Sequence, residues 1–109
     1  MISAHQIQEI LSLYTKHGWK LRRVLLSSKL KIHLAESIET LFNSAEIVDA
    51  EIDAIWLARG VSAGNAESWE IRHLSETPYA LLEVFDEEDE EEVRDEIRQE
   101  LQAQLRGKL

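Results

Sequence analysis

The chain has 109 residues, a single proline, no cysteine and a formal net charge of −9 at neutral pH. That length suits one domain with its own core, so a single domain over 1–109 is expected, and the absence of cysteine excludes disulfide frameworks and thiolate metal sites. No apolar run approaches the roughly 20 residues that span a bilayer, and Met1-Ile2-Ser3-Ala4-His5 lacks the order of a secretion signal, so a cytoplasmic protein without membrane contact is expected.

The first predicted element is a helix over 3–17. Ser3 and Gln6 have capping-box spacing, Ile7, Ile10, Leu11 and Tyr14 form one stripe at a period of 3.6, and Gly18 sits where a left-handed C-cap is wanted. A strand over 19–27 follows, with Trp19, Leu21, Arg23 and Leu25 on one side and Lys20, Arg22, Val24 and Leu26 on the other. Residues 28–42 predict one helix, because Leu30, Leu34, Ile38, Leu41 and Phe42 share a face. Residues 46–50 read as a lead-in to the next strand.

The organising stretch is 51–85, a meander of three strands over 51–59, 68–74 and 79–85. Its joints are a loop at 60–67 and a four-residue turn at 75–78. Parity then assigns Ile52, Ala54, Trp56, Ala58, Trp69, Ile71, His73, Ala80, Leu82 and Val84 to one face. The other holds Ile55, Leu57, Leu74, Tyr79, Leu81 and Phe85 among Glu51, Asp53, Glu70, Arg72 and Glu83. A one-residue slip would scatter this pattern. Residues 86–109 predict a last helix with Val93, Ile97, Leu101 and Leu105 every fourth position. Acids at its start and bases at its end suit the helix dipole. The expected fold is α+β: an antiparallel sheet of about four strands with two to three helices, in the order α-β-α-β-β-β-α.

Charge is unevenly placed. Residues 1–45 hold six basic residues and three acids, whereas 46–109 hold six and eighteen. The acid-free stretch from Ile10 to Ala35 offers Lys20, Arg22, Arg23, Lys29 and Lys31 as an anion or nucleic-acid surface. The simpler account is that the acidic part neutralises the basic part. Trp19, Trp56 and Trp69 fall on apolar positions and read as packing rather than base-stacking platforms. Asp86 to Glu92 lacks the glycine of a calcium loop. His5, His17 and His33 lack zinc spacing, and Gly60, Gly64 and Asn65 form no phosphate loop. His73, with Arg23 and Glu83, is the best candidate for a polar cleft, but no catalytic pair accompanies it.

No cofactor, no metal and no enzymatic activity are expected. The second apolar sheet face needs a cover. This predicts a non-catalytic protein–protein interaction module, a homodimer included. Its interface would use Leu57, Leu74, Tyr79, Leu81 and Phe85 of the sheet, with Val93, Ile97 and Leu101 of the acidic C-terminal helix. The alternative is anionic-ligand or nucleic-acid binding through the basic segment.

Overall fold

The computed structural model describes residues 1–43, 45–60, 66–77 and 79–109. The expected 60–67 loop falls mostly outside them, as do Pro78 and Ser44. The element order is α1 (Ala4–Lys16), β1 (Lys20–Leu26), α2 (Ser28–Leu34), α3 (Ser37–Phe42), β2 (Glu46–Asp49), β3 (Ala54–Gly60), β4 (Glu67–His73), β5 (Ala80–Phe85) and α4 (Glu91–Gly107).

The Ser3 capping box opens α1, with Gln6 N donating to Ser3 Oγ at 3.1 Å and Ser3 N to Gln6 Oε1 at 2.8 Å. Gly18, at φ 85°, ends its exit turn, a dihedral that costs glycine little. The expected helix over 28–42 is two helices. Ser27 caps α2 through its hydroxyl, which accepts from Leu30 N at 3.2 Å. Ala35 then takes φ 45° and breaks the path before α3. The apolar spacing survives the break, so Leu30, Leu34 and Phe42 are all buried.

The fold is α+β, but the sheet has five strands in the order β2-β1-β3-β4-β5. It is mixed rather than antiparallel, because β2 pairs with β1 in parallel, Val24 opposite Ile47 and Leu26 opposite Asp49. The helices number four among the described residues, not two to three. The missed strand β2 is the expected lead-in, too short to show a period. The α2–α3 crossover returns the chain alongside β1, as a parallel pair requires.

The β3–β4 register is the expected one, Trp56 opposite Ile71 and Ala58 opposite Trp69. The β4–β5 register is shifted by one residue. Ile71 faces Leu81 and Trp69 faces Glu83, in place of Leu82 and Val84. The physical reason lies in the turn. Leu74 N leaves the ladder to donate to Asp53 O, and His73 N donates to Tyr79 O, both at 2.8 Å. The connection therefore covers 74–78 rather than 75–78. Tyr79, Leu81, Glu83 and Phe85 thus join the Trp56/Trp69 face, and Ala80, Leu82 and Val84 move to the other.

Each face has its own core. On one, Val24, Leu26, Ile55, Leu57 and Leu74 pack with Ile7, Trp19, Leu30, Leu34 and Phe42 under α1, α2 and α3. On the other, Leu25, Ala54, Trp56, Ala58, Trp69, Ile71 and Phe85 pack with Leu101 and Leu105 of α4. Leu101 and Leu105 are buried as the four-residue spacing suggests. One turn earlier the buried positions are Arg94 and Arg98, while Val93 is exposed. Among the described residues no helix is long and apolar enough to cross a membrane.

Candidate functional site

The structure separates the residues expected to form an interface. Leu57, Leu74, Phe85 and Leu101 are buried inside the single chain, and Tyr79, Leu81 and Ile97 are partly buried against the α4-side core. The face thought to need a partner is covered by α1, α2 and α3. This removes the reason for seeking one there. Leu57 and Leu74 lie on that side, whereas Tyr79, Leu81 and Phe85 lie on the α4 side by the β4–β5 register.

The basic residues of the alternative site are also divided. Arg22 and Arg23 reach toward α4 and β4. Arg22 Nη1 lies 3.6 Å from Glu67 Oε2, and Arg23 Nη1 lies 3.6 Å from Asp95 Oδ1. Lys31 pairs with Asp49. Lys20 and Lys29 are exposed, on β1 and α2. Acids from 46–109 thus engage three of the five cations.

The α4 side holds a network that the sequence did not reveal. Glu67 Oε1 accepts from Trp69 Nε1 at 3.2 Å and from Arg94 Nη1 at 3.1 Å. Arg94 also donates to the carbonyls of Asp89 at 3.1 Å and Asp86 at 2.6 Å, tying down the acidic lead-in to α4. Arg98 is 1% exposed, with its guanidinium 4.4 Å from the Trp69 ring centroid. It pairs with Glu91 and sits 3.6 Å from Asp95. Trp56 Nε1 donates to Gln102 Oε1 at 3.1 Å. The Trp56 and Trp69 indoles are therefore satisfied by neighbours, which agrees with a packing role.

His73 is half-buried. Burial lowers its pKa below the ordinary value, helped by the Arg72 charge and opposed by Asp53. The corrected register puts Glu83 on the His73 face, contrary to expectation. The two remain apart: Tyr79 partners His73, and Glu83 is four residues further along β5, about 13 Å at the usual rise. Arg23 is committed to Asp95. His5 meets Glu9 at 2.7 Å on the exposed flank of α1. Among the described residues no three His, Cys, Asp or Glu side chains converge as a metal site.

What stays open is the outer strip of the sheet on the α1 side. Helical cover stops short of β5, leaving Leu82 54% and Val84 53% exposed, with Leu13 of α1 58% exposed. Between α1 and the sheet lies a cleft of about 430 Å³ lined by Leu13, Tyr14, His17, Trp19, Arg59 and Arg72. Tyr14 OH donates to Glu70 across the cleft's edge. Burial, the Glu70 hydrogen bond and the Glu70 charge all raise the Tyr14 pKa, against a smaller lowering by Arg72. Arg59 lies 4.6 Å over the Trp19 ring centroid and donates to His17 O at 3.3 Å. The sequence pattern missed this strip because it placed Leu82 and Val84 on the wrong face.

No family model, no curated protein and no solved structure matches the chain.

Proposed function

We propose that this chain is a non-catalytic protein-interaction module whose contact surface is β5 together with the facing flank of α1. The observation that carries the reading is the exposure of Leu82 and Val84 on an edge strand while the strands inside the sheet are covered. Apolar side chains beside unpaired strand backbone form a surface that gains from a partner on two counts, burial and hydrogen bonding. The acidic helix α4 does not belong to this surface, because Ile97, Leu101, Leu105 and its two buried arginines are spent on the other side of the sheet. Carboxylate pairing of Arg22, Arg23 and Lys31 favours this reading over anion binding.

The test compares wild type with Leu82→Lys/Val84→Lys as bait in lysate of the source cells, with each captured protein then purified and its affinity measured. Both positions are exposed, so thermal unfolding of the variant should match wild type. The reading expects at least a tenfold loss of affinity in the variant, about 1.4 kcal/mol. Equal affinity for both baits would overturn it.

A further inference from the structure

We propose that the partner of this surface is a second copy of the chain, joined by antiparallel pairing of β5 with β5 about a two-fold axis at Leu82. The proposal rests on the contact surface described above and adds the identity and register of its occupant.

The first argument is the direction of the peptide groups. Residues of an antiparallel ladder alternate between exchanging hydrogen bonds with their partner and pointing away from it. His73 N donates to Tyr79 O at 2.8 Å, so Tyr79 aims its backbone at β4. By alternation Leu81, Glu83 and Phe85 do the same, in step with their partners Ile71, Trp69 and Glu67. Ala80, Leu82 and Val84 therefore aim their N–H and C=O groups outward from the sheet, and these same residues carry the exposed side chains.

The second argument is register. An isologous contact must bring each residue to its symmetry mate. An axis at Leu82 sets Leu82 opposite Leu82 and Ala80 opposite Val84. All of these are outward-pointing positions, so three residue pairs exchange about two hydrogen bonds each. Leu81 then meets Glu83 of the other copy, and no like charges face each other. An axis at Glu83 would place two carboxylates directly opposite, which is destabilising. An axis at Leu81 would set Val84 against position 78, a proline with no N–H to give. An axis at Val84 would pair Leu82 with Asp86, whose N–H already donates to Asp89 and whose C=O already accepts from Arg94, so the Leu82 register is the one left.

The third argument is the contrast with the other sheet edge. Strand β2 has four residues, two of them the exposed acids Glu46 and Asp49, a short and charged edge of the kind that resists pairing. Strand β5 has six residues and no lysine. A continuous sheet through β5 would bring Leu82, Val84 and Ala80 of both copies together on the α1 side.

A single strand pair is smaller than the roughly 800 Å² per partner of a standard interface. Two chains of charge −9 also repel. The dimer is accordingly weak, with a Kd on the order of 100 μM, and salt strengthens it by screening.

The experiment uses the purified chain. Sedimentation equilibrium up to ~1 mM, at low salt and at ~0.5 M salt, where charges are screened, should show a monomer–dimer equilibrium tightened by salt and weakened at least tenfold by Leu82→Lys. Because the chain has no cysteine, Leu82→Cys supplies a lone thiol. Hydrogen-bonded strand pairs hold Cα atoms about 5.5 Å apart, within disulfide reach. Under mild oxidation Leu82→Cys should form a covalent dimer at least tenfold faster than Ile32→Cys, which is at least as exposed but lies on α2 away from the strip. A wild-type monomer throughout, a dimer indifferent to Leu82→Lys, or equal crosslinking rates would overturn the pairing. If the pairing fails while capture of another protein still depends on Leu82 and Val84, the interaction reading survives and the second copy is replaced by that protein.

Discussion

Arg98 allows the physics of the α4 side to be tested with two substitutions. Its side chain is 1% exposed and its Nε and Nη1 have no hydrogen-bond partner among the described residues. Each unmatched buried N–H costs about 1–3 kcal/mol. Against this stand the Trp69 contact at 4.4 Å, worth about 0.5–2 kcal/mol, and the pairs with Glu91 and Asp95. Both acids are largely in water, so those pairs contribute about 1 kcal/mol or less. The charge is therefore at best near balance, and what Arg98 reliably supplies is buried side-chain packing beside Trp69 and Phe85. Arg98→Met keeps an unbranched stem and removes the charge, so it should be neutral or stabilising by up to ~2 kcal/mol. Arg98→Ala removes the stem as well and should cost about 2–3 kcal/mol, at about 0.8 kcal/mol per buried methylene plus a cavity term. Urea unfolding followed by tryptophan fluorescence measures both. An Arg98→Met variant as unstable as Arg98→Ala would refute this reasoning and make the charge itself the stabilising element.

Other consequences are independent of Arg98. Leu81→Lys points into the α4-side core and should cost about 1–2 kcal/mol, whereas Leu82→Lys should stay within about 0.5 kcal/mol of wild type; the reverse order in thermal melts would restore the four-residue turn and its register. Ala35 holds φ 45°, so Ala35→Gly should raise stability by about 1 kcal/mol, and a loss measured in urea would contradict that backbone geometry. Tyr14→Phe should cost about 1 kcal/mol through the lost Glu70 bond. Because the Tyr14 pKa is raised, this variant and wild type should also show the same phenolate absorbance near pH ~10. For His73 the folded pKa lies below the ordinary histidine value of 6.5, so the unfolded chain holds the proton more tightly. Its contribution to stability is complete above about pH 6.5 and is lost as the pH falls through that value toward the folded pKa. Relative to His73→Gln, wild type should lose stability between pH ~7 and ~5, and parallel profiles would remove His73 as the cause.

Local signals read correctly where the determining contacts are local or where alternation runs unbroken. The Ser3–Gln6 cap, the Gly18 exit and the Trp56–Ile71 pairing are of this kind. Two features depend on residues distant in sequence. Strand β2 exists because α2 and α3 return it to β1, and four residues cannot announce that by periodicity. The β4–β5 slip comes from Leu74 bonding to Asp53, a contact no turn rule contains. One residue of slip then reassigned every β5 side chain and reversed which apolar residues were expected at the surface. The buried face of α4 was misjudged for another reason: Arg94 and Arg98 are buried against aromatic rings and carboxylates contributed by β4, β5 and the start of α4, while hydropathy alone would send them to solvent. The candidate surface is therefore illegible from pattern, although the pattern does place Leu82 and Val84 on a strand.

The most direct test of this account is methyl NMR of a dilute, monomeric sample with a soluble paramagnetic agent. If the chain covers both sheet faces itself and leaves only the outer strip open, the Leu82, Val84 and Leu13 methyls will be strongly broadened, while those of Ile55, Leu57 and Ile71 keep their intensity. Ile55 and Leu57 methyls broadened as much as Leu82 would mean that the α1–α3 cover is absent in solution, and would contradict the account.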